Sequence, residues 1–209
     1  YAEFPAEPGR GGCRGRLSAL AAPVILYIAP GSPFARIFRI LSRERGLGLT
    51  EVETPLRDPA APQLAFNPAG RVPALLDGAT LICETPLILA HLGLLPTEPA
   101  ALARLGQALA LTDAIAVWNR DLRRPEHERS ASFQALERTR TGRILDALDL
   151  DAHDPSSVEG IALACALGYC DRRHTVFHWR EGRDTLAAWY AAMTDRPAFI
   201  ETMPPLSGI

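Results

Sequence analysis

Asn67-Pro68-Ala69-Gly70-Arg71-Val72-Pro73-Ala74-Leu75-Leu76-Asp77-Gly78, continued by Thr80-Leu81-Ile82-Cys83-Glu84-Thr85-Pro86, decides how this chain is read. Asp77-Gly78 is a two-residue hairpin signal, and the apolar runs on either side of it predict paired strands. Thr85-Pro86 predicts a helix start with Thr as the cap and Pro at the first helical position. The free N–H groups of such a start favour a carboxylate. Val72-Pro73 stands at the mouth of the first strand, where a cis prolyl bond, a minority state elsewhere, belongs to a tight turn. That bond would turn the Val72 N–H and C=O outward to pair with an extended peptide.

Working outward, residues 24–29 read as a first strand and 33–45 as a helix opened by Ser32-Pro33. A short strand follows over 49–53, and 56–66 is irregular. A helix over 85–94 closes a βαβ-then-ββα unit, a small α/β fold. Pro96 to Pro99 reads as a linker, with two prolines in four residues. Beyond it, Ala, Leu and Arg at three- and four-residue spacing predict long helices over 100–123 and 126–148, broken at Pro125. Ser156 with Glu159 matches a capping box, and residues 161–167 behind it are apolar all round, which predicts the buried central helix of a bundle. A last helix is expected over 184–194. The predicted domains are therefore 24–95, α/β, and 100–209, all helical, with 1–23 an extension that is disordered or foreign to the protein proper.

Composition narrows the function. The chain has 209 residues, 47% of them hydrophobic and 22% charged, with a net charge of −2, an ordinary balance for a soluble globular protein. No Lys/Arg run forms a stripe, so nucleic-acid binding is set aside. Cys13, Cys83, Cys165 and Cys170 show neither a C-x-x-C pair nor metal-ligand spacing, so no metal is expected and a reducing, cytoplasmic setting fits. His174 and His178 are four apart but lack a third ligand, and read as a satisfied or exposed pair. Arg10, Arg14 and Arg16 before an apolar run imitate a signal peptide. Pro23 interrupts that run, cleavage there would remove the first strand, and the run is too short to span a membrane.

With Ser32-Pro33-Phe34 upstream, the motifs Asn67-Pro68-Ala69-Gly70-Arg71-Val72-Pro73 and Glu84-Thr85 resemble the glutathione transferase superfamily, and most closely its bacterial serine-type members. The likeness runs from Val24 to Arg196-Pro197-Ala198-Phe199, a tail common in bacterial members. It implies a thioredoxin-like N-terminal domain, an all-α C-terminal bundle, and a homodimer. Family members carry (Ser/Thr)-x-x-Asp before the central helix; Glu159 departs from that pattern. Arg123-Arg124-Pro125 and Trp179-Arg180 recur in similar members without a role that physics supplies.

The resemblance implies a co-substrate, glutathione, and an assignment for each motif. Free glutathione has a thiol pKa of about 8.5, so only a few per cent is thiolate at neutral pH. Ser32 is the expected catalytic residue: its hydroxyl donates to the sulfur, and its place before Pro33 sets that sulfur near the positive end of the first helix. Lowering the thiol pKa by about two units would stabilise the thiolate by roughly 2.7 kcal/mol. Ser32 also serves as a helix cap, and the two roles are compatible. Glu84 would take the ammonium, Thr85 the γ-glutamyl carboxylate, Val72 and Pro73 the cysteinyl portion, and Arg57 or Arg71 the glycyl carboxylate. Phe34 and Trp118 would line a pocket for a hydrophobic electrophile. A hydroxyl at position 32 cannot form a mixed disulfide, which counts against thiol oxidoreductase chemistry; Cys83 reads as a buried strand residue. The implied activity is conjugation, of the detoxification kind. A non-catalytic scaffold on the same fold, or a glutathione-dependent isomerase or dehalogenase, is the alternative.

Overall fold

The computed structural model describes residues 23–55, 58–174 and 176–206. The extension expected at the N-terminus, Cys13 and Arg57 lie outside the described residues. Strand β1 (Ile25–Ile28) runs into α1 (Pro33–Arg45), then β2 (Thr50–Glu53), β3 (Ala74–Asp77), β4 (Thr80–Cys83) and α2 (Thr85–His91). The sheet order is β2-β1-β3-β4. β1 pairs with β2 in parallel, because α1 returns the chain to the same end. β3 lies antiparallel to β1, and Asp77-Gly78, with Gly78 at φ 59°, reverses it at once into β4, also antiparallel, with Asp77 opposite Thr80.

From Pro99 on the structure is helical: α3 (Pro99–Leu122), α4 (Ala131–Asp146), α5 (Val158–Arg173), α6 (Asp184–Thr194) and α7 (Pro197–Glu201). By length and composition α3 is the one helix among the described residues that would suffice to cross a bilayer, but it is packed between α4 and α5. α5 is buried along Val158–Cys170, as its all-round apolar run predicts. The core is continuous: Leu26 and Ile28 of β1 and Ile37, Phe38 and Leu41 of α1 join Ile161–Leu167 of α5 in one cluster.

Three local expectations shift. The cap of α5 is Ser157, not Ser156: the Ser157 Oγ accepts from the Gly160 N–H at 3.0 Å. Ser156 is spent on a turn around Asp154, whose carboxylate accepts from its N–H and its hydroxyl, and Glu159 pairs with Arg104 at 3.2 Å. The cap of α2 is Glu84, because its backbone, at φ 71° and ψ 129°, is the last non-helical one; Thr85 and Pro86 follow as the first two helical residues. α4 begins only at Ala131, after a single 3-10 turn at Glu126–Glu128 that Pro125 initiates.

Candidate functional site

The sheet's strand ends and the helical half enclose a cleft of about 1380 Å³. Its α/β wall is built from the turn Ala29–Phe34, from residues 70–73, and from residues 83–86. Ser32 is the N-cap of α1, with φ −81° and ψ 119°, and its Oγ accepts from the Ala35 N–H at 3.2 Å. A Ser hydroxyl has one proton and two lone pairs; the cap uses a lone pair, so the O–H remains a donor. The Val72-Pro73 bond is cis, and both residues line the cleft beside Arg71. Asn67, itself buried, steadies this turn by donating from its amide to the Arg71 carbonyl at 3.0 Å.

Glu84 is the only non-glycine residue with positive φ among the described residues. Such a conformation costs about 1–3 kcal/mol and persists only where its surroundings over-determine it. It holds the Glu84 side chain exposed on the cleft while Thr85, buried with 4% exposure, sits at the wall beside it. Cys83 lines the same wall and is half-exposed, not buried as expected, because β4 is the sheet edge. Burial and, after it, the Glu84 charge push its thiol pKa up, and its Sγ–H points to the Asn67 side-chain Oδ1 at 3.7 Å. That environment keeps a protonated thiol, the opposite of a nucleophilic cysteine.

Of the residues expected at the site, Ser32, Phe34, Arg71, Val72, Pro73, Glu84 and Thr85 are brought to this cleft. Trp118 is not. α3 faces the cleft with a stripe at four- and three-residue intervals, Leu109, Asp113, Ala116, Arg120 and Arg123, joined near its C-terminal end by Asn119 and Leu122. Position 118 is two residues from both 116 and 120, about 200° round the helix from each. Trp118 is accordingly fully buried on the far side, with its ring against His174 at 4.5 Å and Phe177 at 5.5 Å and Arg138 over its face. His174 is buried and neither ring nitrogen has a hydrogen-bond partner, whereas His178 is exposed, so the two histidines are not a pair of one kind.

The helical wall holds what the sequence reading passed over. Asn119, 1% exposed, donates to the Tyr169 hydroxyl at 2.6 Å, and both residues line the cleft. Arg120, Arg123, Arg129 and Arg173 line it as well. The 109-113-116-120-123 spacing was the available signal; choosing that face over the Trp118 face needed the partner helices. The motifs without a role resolve in part: Arg124 approaches Asp121 at 3.8 Å, and Arg180 stacks on Trp179 while both bond Asp171. Those contacts tie chain segments together, away from the cleft.

Comparison with known proteins agrees with this architecture. A family model described as "Glutathione S-transferase, N-terminal domain" matches residues 26–100. The uncharacterized GST-like protein YibF of Escherichia coli K12 is 30% identical over 194 residues, which cover 83% of this chain and 95% of that protein. A glutathione S-transferase of Methylobacillus flagellatus, solved with glutathione bound, superposes with a TM-score of 0.78 at 26% identity, covering 87% of this chain and 99% of that one. A glutathione transferase family member of Pseudomonas fluorescens Pf-5, also with bound glutathione, gives a TM-score of 0.78 at 29% identity over 88% of this chain and all of that one. Sheet order, helical half and sequence likeness over nearly the whole relative lead to one conclusion: the chain belongs to the glutathione S-transferase family.

Proposed function

We propose that this protein is a glutathione transferase, in which the thiolate of bound glutathione attacks an electrophilic carbon of a small molecule. The observation that carries the reading is the convergence on one cleft of Ser32, the cis Val72-Pro73 turn and the Glu84-Thr85 pair. Residues 24–95 form the glutathione-binding unit and 100–209 the helical one. The Ser32 hydroxyl donates to the sulfur while its lone pair keeps the α1 cap, and the start of α1 adds a positive field that favours thiolate over thiol. No acid stands in the first turn of α1 to oppose that field.

Glu84 takes the glutathione ammonium, the Thr85 hydroxyl and N–H take the γ-glutamyl carboxylate, and the Val72 backbone pairs with the cysteinyl residue. Arg71, exposed at the cleft edge, is the described cation best placed for the glycyl carboxylate. Glutathione-bound neighbours of the same architecture support the ligand. In this reading the protein is a cytoplasmic homodimer of the detoxification type. Turnover of glutathione with chlorodinitrobenzene tests the proposal: Ser32→Ala is expected to lose on the order of 10²-fold in kcat, the equivalent of roughly 2.7 kcal/mol. Unchanged turnover would remove Ser32 from the mechanism, and glutathione binding weaker than millimolar by calorimetry would remove the function.

A further inference from the structure

The two walls of the cleft differ in charge. On the α/β side the lining holds Arg71 with Glu53 and Glu84; on the helical side it holds Arg120, Arg123, Arg129 and Arg173 with one carboxylate, Asp113. This local excess of positive charge stands on a chain whose net charge is −2. Among the described residues Arg120 and Arg129 have no carboxylate partner; the Arg129 Nε donates only to the Arg124 carbonyl, at 2.9 Å. Arg173 lies at the reacting end of the cleft. Its Cζ lies so close to Gly31 that a Cβ there would stand 2.7 Å from it, and Gly31 immediately precedes Ser32. The cleft lining also carries apolar side chains, Phe34 on the α/β wall and Leu109, Ala116 and Leu122 on α3, alongside Asn119 and Tyr169.

Arginines and apolar side chains lining one cleft select a particular kind of second substrate. We infer that the electrophile is a small apolar molecule bearing a carboxylate, held by Arg120 and Arg129 with its electrophilic carbon turned to the sulfur at Ser32. The inference rests on the transferase reading above and names the substrate class of that cleft. With a chloronitrobenzoate, the glutathione sulfur forms a bond to the ring carbon that carries chlorine. The C–Cl bond breaks, chloride leaves with the electron pair, and the thiol proton has already passed to solvent. The carboxylate takes no part in bond making; it fixes the ring while the arginines screen its charge from the incoming thiolate. Arginine suits the task because its planar fork meets a carboxylate with two parallel hydrogen bonds.

Equilibrium titration with the two finished conjugates, the carboxynitrophenyl thioether of glutathione and its carboxamide, isolates this interaction without requiring turnover. The wild type is expected to bind the carboxylate about tenfold more tightly than the amide at low salt, the size of a charge-assisted contact at a half-open site. In Arg120→Gln/Arg129→Gln that gap should close to within about threefold, while the affinity for glutathione itself moves less than about twofold. Equal affinity of the wild type for the two conjugates would overturn the inference and leave the transferase reading standing. So would a glutathione affinity that falls in the double variant as far as the conjugate's, because the arginines would then serve glutathione's own carboxylate. Failure of glutathione and both conjugates to bind would remove the transferase reading, and this inference with it.

Discussion

Ser32 shows how one hydroxyl serves fold and chemistry together. Its lone pair caps α1 through Ala35, so Ser32→Ala should lower stability by about 1 kcal/mol in addition to its effect on turnover. Ser32→Asp separates the two: the carboxylate keeps the cap, so the urea midpoint should stay near that of the wild type, while an anion with no proton to donate should suppress turnover at least as far as Ala does. His174 makes a different residue-scale statement. Burial first, and the nearby Arg138 charge second, lower its pKa to about 4 from 6.5. The unfolded chain therefore takes up a proton that the folded protein refuses, and stability falls as pH drops through the window from 6.5 to about 4. From pH 7 to pH 5 the loss should be about 2 kcal/mol, read as a shift in urea midpoint, and His174→Phe should remove most of that slope.

At the scale of the element, α5 depends on how its first turn is closed. Ser157 caps it, and Gly160 lies against the preceding turn so closely that a Cβ there would stand 2.3 Å from the Asp154 carbonyl oxygen. A backbone atom held by the Ser157 N–H and hydroxyl does not move aside cheaply. Gly160→Ala should therefore destabilise by about 1–3 kcal/mol, although alanine is the better helix former. Ser157→Ala should cost about 1 kcal/mol and Ser156→Ala less than about 0.5 kcal/mol, all read from denaturant midpoints at constant m-value. A larger loss at 156 than at 157 would return the cap to Ser156. The same geometry explains the sequence reading here: Ser156 and Ser157 are equivalent as letters, and Glu159 three residues after Ser156 favoured the wrong one. Asp154 decides between them by engaging Ser156 in a turn.

At the scale of the molecule, the two halves are joined through α1 and the last turns of the chain. Arg36, 2% exposed, donates from Nε to the Thr202 hydroxyl at 3.3 Å and from Nη2 to the Phe199 carbonyl at 2.9 Å, with its guanidinium 5.4 Å over the Phe199 ring. Arg43 reaches Glu201 at 3.0 Å, and Arg196 bonds the Pro155 carbonyl and Glu44. Gly168 of α5 completes the contact, because a Cβ there would stand 2.5 Å from the Arg36 Nη1. Thermal unfolding should accordingly be a single calorimetric transition, not two. Arg36→Met keeps the bulk but leaves the buried Phe199 carbonyl without its donor, while the Thr202 hydroxyl keeps its bond to the Ala198 carbonyl, and should lower stability by about 1–3 kcal/mol. A second transition in the variant would show that the clamp is what couples the halves; two transitions in the wild type would show that it does not.

The sequence by itself determined the strand and helix order, the hairpin at Asp77-Gly78, the start of α1 at Ser32-Pro33 and the buried course of α5. These follow from turn chemistry and periodicity, which act over a few residues and are written in consecutive letters. Seven of the expected site residues sit in motifs whose local geometry fixes their direction, and the pairing of β1, β3 and β4 brings those motifs to one cleft. Only the tertiary structure decided which face of α3 meets that cleft, and so why Trp118 is core while Arg120 and Arg123 line the wall. An amphipathic helix carries several candidate faces, and the choice among them is made by packing against α4 and α5, whose side chains lie tens of residues away. The charge of the cleft was hidden on the same ground: Arg120, Arg129 and Arg173 are scattered in sequence, and only folding brings them to one surface.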